Sequence, residues 1–188
     1  EPKAGQGFAD MNGNVAQYAA LKLSQRNILS GETVGSSRFF YPDRPVSRGE
    51  FVVQLLAARG WDQNLSPCVN TGLSNDADIP AWMKPYLKEA IDRDIITEQT
   101  FPTQEIPTRA EAAVLTRRAA ALPAVPAAPL GLRDEDTIPG WALPSYQSLS
   151  AWKMLDLYDG YARPGQSLDR SYAAQLLWQL VLYGEDRV

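Results

Sequence analysis

Hydrophobic residues fall at helical spacing in three stretches that share one kind of opening. Phe51, Val52, Leu55 and Leu56 lie on one helical face, as do Ala112, Val114 and Leu115, and again Tyr172, Leu176, Leu177 and Leu180. A short polar motif introduces each stretch: Ser47-Arg48-Gly49-Glu50, Thr108-Arg109-Ala110-Glu111 and Asp169-Arg170-Ser171-Tyr172. Ser47 and Thr108 are good N-cap residues, and Glu50 and Glu111 follow at the capping-box spacing. Asp169 can still cap, but Tyr172 replaces the glutamate, so the reciprocal half of the box is lost. The arginines at 48, 109 and 170 stand a constant 61 residues apart, the mark of one supersecondary unit copied three times around a shared core.

Each copy reads as helix, irregular loop, helix. In the second, Asp78-Ile79-Pro80-Ala81-Trp82 leads into a helix whose Tyr86, Leu87, Ala90 and Ile91 share a face. Phe101-Pro102 then opens a loop that cannot continue a helix, and Thr108 caps the next one. The third copy repeats the entry as Thr137-Ile138-Pro139-Gly140-Trp141, with Tyr146 read as core like Tyr86. The first has Val15-Ala16 where the tryptophan falls, an apolar face of Ala20, Leu21, Leu23, Ile28 and Leu29, and a longer, glycine-bearing loop from Ser30 to Arg38. Pro42, Pro102 and Pro164 precede the arginines by six or seven residues, which predicts one loop geometry made three times. The repeats are placed at 8–59, 73–122 and 132–183, with a polar connector at 60–72 and an extended, proline-rich one at 123–131. Units of about 60 residues rarely support a core alone, so residues 1–188 read as one all-α domain.

Composition narrows the function. The chain is 45% hydrophobic and 21% charged, which is ordinary for a globular protein, and no apolar run approaches the ~20 residues of a membrane span. Glu1-Pro2-Lys3-Ala4-Gly5 lacks the features of a signal peptide, and the chain reads as one end of a larger protein. A net charge of −4 argues against nucleic acid as a partner. With no histidine, Ser-His and Cys-His nucleophile pairs and most zinc sites are excluded, and the lone Cys68 forms no internal disulfide. The acidic residues Asp62, Asp76, Asp78 and Asp134-Glu135-Asp136 do not match a dedicated calcium loop. The expectation is a non-enzyme without cofactor or metal.

The arginine is the part of the motif that helix formation leaves unexplained. At the first helical position a cation faces the positive end of the helix dipole, an unfavourable placement. Three at one phase point to an anion bound there, where helix N–H groups and a guanidinium fork both suit a carboxylate or phosphate. The alternative is a solvated arginine, or one paired with a nearby aspartate.

With these residues laid out, the chain resembles the S-layer homology family from about Phe8 to Tyr183. The first copy carries Phe8-Ala9-Asp10, Ile28-Leu29-Ser30-Gly31, Phe40-Tyr41-Pro42 and Ser47-Arg48-Gly49-Glu50. The second carries Leu73-Ser74-Asn75-Asp76, Trp82, Ile95-Ile96, Phe101-Pro102 and an intact Thr108-Arg109-Ala110-Glu111, and the third Leu132-Arg133-Asp134, Trp141-Ala142 and Asp169-Arg170-Ser171-Tyr172. The resemblance implies a pseudo-threefold trimer of repeats within one chain, with the motif helices in a central helical bundle and grooves between neighbours. It implies a module on the bacterial cell surface that binds an acidic secondary cell-wall polysaccharide, often bearing pyruvate ketals on amino sugars, with self-association in a surface layer as a further possibility. Carried over by position, Arg48, Arg109 and Arg170 are the carboxylate partners and Ser47 and Thr108 supply hydroxyls or caps. Asp10, Asp76 and Asp134 accept sugar hydroxyls, and Trp82 and Trp141 are either sugar platforms or packing residues. Asp94 stands at a family glycine position, and Asp169 is placed to neutralise Arg170. Fewer than three working grooves are expected, with those at Arg48 or Arg109 favoured. The other reading is a module of the same fold whose grooves have decayed and which mediates adhesion or lattice assembly.

Overall fold

The computed structural model describes residues 7–155 and 157–186; the N-terminal stretch Glu1–Gly5 lies outside them. Among the described residues are six α-helices: α1 (Gln17–Gln25), α2 (Arg48–Ala58), α3 (Lys84–Asp92), α4 (Arg109–Ala120), α5 (Leu143–Ala151) and α6 (Arg170–Glu185). The all-α expectation needs one correction, because the glycine-bearing loop folds into an antiparallel hairpin of β1 (Glu32–Val34) and β2 (Ser37–Phe39). Glu32 pairs with Phe39 and Val34 with Ser37, leaving a two-residue turn that Gly35 enters at φ +62°. The side chains of β1 are all exposed, so no hydrophobic alternation marked it in the sequence.

The helix starts follow the motifs. Ser47 Oγ accepts the Glu50 N–H at 3.2 Å and Thr108 Oγ1 that of Glu111 at 3.2 Å, and both glutamates return the bond to the cap residue's N–H. In α6 the Asp169 carboxylate accepts the Tyr172 N–H at 2.8 Å, so this acid serves as a cap and forms no ion pair with Arg170.

The ends of α1, α3 and α5 share a second device. Each closes with a pair of bonds characteristic of a Schellman motif: Asn27 N–H to Ser24 O and Ile28 N–H to Leu23 O, Asp94 N–H to Ile91 O and Ile95 N–H to Ala90 O, and Lys153 N–H to Ser150 O and Met154 N–H to Leu149 O. The turning residue in each case is left-handed, at φ +57° for Asn27, +58° for Asp94 and +56° for Lys153, and none is glycine. Ile28, Ile95 and Met154 follow directly and pack on the core, which fixes the direction in which the chain leaves each helix.

Helices α2, α4 and α6 pack pairwise against one another. Each of α3 and α5 lies on the arginine-led helix that precedes it, α3 on α2 and α5 on α4, while α1 packs on α6, the last helix. Phe51, Leu55, Leu56, Ala112, Ala113, Leu177 and Leu180 are buried without residual exposure, and α4 is alanine-rich where its neighbours approach it.

The same order governs the helix heads. Arg48 and Gly49 donate their N–H groups to Glu105 O at 2.8 Å and Thr103 O at 2.9 Å. Arg109 and Ala110 donate to Gln166 O at 2.8 Å and Pro164 O at 3.1 Å, and Arg170 and Ser171 to Arg44 O at 3.0 Å and Pro42 O at 2.9 Å. These bonds correct the expectation of open N–H groups awaiting an anion: the first two are taken by loop carbonyls and the third by the cap.

A left-handed lysine is disfavoured by roughly 1–2 kcal/mol, part of which the extra chain entropy of glycine returns. Lys153→Gly is therefore expected to stabilise the protein by about 1 kcal/mol; urea denaturation showing no gain, or a loss, would contradict the strain argument.

Candidate functional site

Two clefts lie where a loop crosses the head of an arginine-led helix. The larger, of about 490 Å³, brings together Arg48, the loop residues Glu98 and Thr100 to Pro102, Glu111 and Arg118 of α4, and Trp141. Trp141 is 60% exposed and stands at the entry to α5. Arg48 is ion-paired twice at 2.6 Å, its Nη1 to Glu105 and its Nη2 to Glu111. Arg118 donates to Ile95 O at 3.1 Å and to Glu98 at 2.9 Å. Burial works to raise the Glu98 carboxyl, but the Arg118 bond and charge outweigh it and the net shift is downward. Formal charge here is two arginines against three glutamates.

The smaller cleft, of about 90 Å³, is lined by Arg109, Tyr158, Asp159, Tyr161, Arg163, Tyr172 and Val15 among others. The Arg109 guanidinium lies over the Tyr172 ring at 4.1 Å from its centroid. It has no ion pair among the described residues, and its Nε is buried with no hydrogen-bond partner. Asp159 is committed to Arg163 at 2.5 Å, and that bond holds its carboxyl below the ordinary range. Burial pushes the Tyr172 hydroxyl up to about 12 against the opposing pull of Arg109, so the ring stays a neutral platform at physiological pH.

Arg170 occupies a different setting. Its Nε donates to Phe40 O at 2.8 Å and its Nη2 to Ser30 O at 2.7 Å, with the guanidinium 4.5 Å from the centroid of the Phe40 ring. Trp82 is 59% exposed and meets Tyr86 edge-on at 6.2 Å. Tyr86 is only partly buried, whereas Tyr146 is fully enclosed.

The aspartates act first as clasps on the loops. Asp10 accepts the N–H groups of Phe40 at 2.9 Å and Tyr41 at 2.8 Å, and Asp134 those of Ala162 and Arg163, both at 2.8 Å. Between them in the chain, the residue in that role is Asn75, which bonds both the N–H and the carbonyl of Phe101. This corrects the placement of Asp76, which lies one residue further on and accepts from Thr71 and Lys84 instead. The fold therefore brings Arg48 and Trp141 to one cleft and Arg109 to another, while Ser47 and Thr108 use their hydroxyls as caps. The motifs alone did not point to Glu98, Arg118, Tyr158, Tyr161 and Arg163, which also line these clefts. The signal available for the last four was position: Arg118 stands about two helical turns beyond Glu111 on the same face, and the tyrosines and Arg163 precede Asp169 as the Phe101 loop precedes Thr108. Among the described residues no helix is long and apolar enough to cross a membrane.

Two measurements separate these roles. Arg170→Ala leaves two loop carbonyls without their charged donor and is expected to cost about 2 kcal/mol in urea denaturation, against less than about 1 kcal/mol for Arg109→Ala, which loses mainly a ring contact. Equal losses would show that Arg109 also holds the fold. The Lys84 and Thr71 bonds hold Asp76 at about 2, below its ordinary 3.8, so their stabilising effect is complete above 3.8 and disappears as pH falls through 2. Asp76→Asn is expected to flatten the fall of Tm across that window; an unaltered acid limb would count against the ion pair.

Comparison with curated proteins gave no match. The family model for the S-layer homology domain matches residues 7–52, a span that holds the Asp10 clasp, α1, the hairpin, the Ser47 cap and Arg48 at the head of α2. Modules of this family anchor surface proteins to the cell wall, and residues 7–52 of this chain are an S-layer homology domain.

Proposed function

We propose that the chain is a non-catalytic wall-anchoring module in which three S-layer homology repeats form a pseudo-threefold bundle and bind an acidic, pyruvylated secondary cell-wall polysaccharide in the clefts between repeats. The cyclic order of contacts supports the repeat reading, since the arginine-led helices touch pairwise and each receives one outer helix and one loop. The observation that carries the binding reading is the pairing of a guanidinium with aromatic surface in both clefts, Arg48 beside the exposed Trp141 and Arg109 beside Tyr172 and the exposed Tyr158. A ketal carboxylate matches the planar fork of arginine, and the apolar face of a pyranose matches an aromatic ring. With the helix amides already bonded, the side chains alone do the recognition.

Calorimetric titration with purified secondary cell-wall polysaccharide, before and after mild acid removal of its pyruvate ketals, tests this directly. Binding is expected to fall at least tenfold on removal of the ketal, and Arg109→Ala to reproduce that fall with the intact polymer. Equal binding to both forms would place recognition on neutral sugar contacts, and no binding to either would leave the fold as a protein-interaction scaffold.

A further inference from the structure

The two clefts are built alike and charged differently. Residues 105 and 166 occupy one backbone position, because each carbonyl accepts the first N–H of an arginine-led helix, from Arg48 and Arg109 respectively. Residues 111 and 172 occupy another, the third position of the helix that flanks each cleft. At Arg48 these residues are Glu105 and Glu111, and both are ion-paired to it. At Arg109 they are Gln166 and Tyr172, so both carboxylates are absent at once and the guanidinium rests on a ring.

We propose that Gln166 and Tyr172 set the charge selectivity of the module: the Arg109 cleft takes the carboxylate of an acidic sugar, and the Arg48 cleft takes an uncharged sugar ring laid on Trp141. The inference rests on the glycan-binding reading. An anion entering the larger cleft has to displace Glu105 from Arg48 and still faces Glu111 and Glu98, whereas a hydroxyl-bearing ring finds acceptors and donors already ordered by their mutual pairing. At Arg109 the guanidinium stacks on Tyr172 and its two Nη groups carry no ion pair among the described residues, which leaves them to donate parallel bonds to a carboxylate. Size agrees with the division, since about 90 Å³ suits a carboxylate-bearing substituent and about 490 Å³ a sugar ring.

The test uses calorimetry with two probes, an amino-sugar glycoside bearing a pyruvate ketal and the same glycoside without it. Gln166 and Glu105 are both exposed, so substitutions there do not disturb the core. Q166E is expected to weaken the ketal probe at least tenfold and leave the unketalised probe unchanged, while E105Q adds a second, weaker site for the ketal probe. Trp141→Ala is expected to remove binding of the unketalised probe alone. If the wild type binds the ketal probe and Q166E binds it equally well, the selectivity proposal is overturned while wall binding stands. If the wild type binds neither probe, the glycan-binding reading falls and the proposal with it.

Discussion

The hydrogen bonds between helix heads and the loops that lie over them are the constraint on which the rest of the structure depends. A helix begins with N–H groups that its own backbone cannot satisfy, and here the first two on α2, α4 and α6 are answered by carbonyls from another part of the chain. The loop over α2 comes from the segment that follows it, and the loop over α6 comes from the segment before α2. No arginine-led helix therefore completes its own first turn. The Asp10, Asn75 and Asp134 clasps then fix those loops to the start of the segments that supply them, so capping, loop shape and helix packing are parts of one arrangement.

That arrangement decides what remains available for chemistry. Once backbone donors are occupied, an anion cannot be held by helix amides, and recognition passes to side chains projecting from the same positions. Arg48, Arg109 and Arg170 share a place in the backbone but have three fates: ion-paired to glutamates, stacked on a tyrosine, and bonded to loop carbonyls. A common scaffold thus imposes location without imposing charge. The side chains at the surrounding positions, Glu105 against Gln166 and Glu111 against Tyr172, set the local field.

Much of the fold was legible because it follows from local rules. Helical spacing and cap chemistry located the starts of α2, α4 and α6 at the arginines, and the proline-bearing loops marked where helices could not continue. The hairpin was not legible, since Glu32, Thr33 and Val34 are exposed and carry no alternation. In the second copy Asn75 performs the clasp with an amide, so the acid that marks this position in the other two copies is absent and Asp76 beside it carries the charge without the role. The pairing of Arg48 with Glu105 and Glu111 joins residues 57 and 63 positions apart, and only the packing of separate segments brings them together. Local pattern can find the arginine; the company it keeps is a tertiary fact.

The seat of α1 on α6 has a consequence for the order of assembly. Arg26 and Glu185, which pair across this contact, are separated by 159 residues, so nearly all of the described chain lies in the loop that the contact closes. Closing so long a loop is entropically costly and slow relative to local helix formation. Synthesis from the N-terminus makes α1 well before α6, the helix that shelters it. Until α6 is present, α1 lacks the helix against which it packs, and the buried Ala20 and Leu23 stand on an element whose main helical neighbour is still to come.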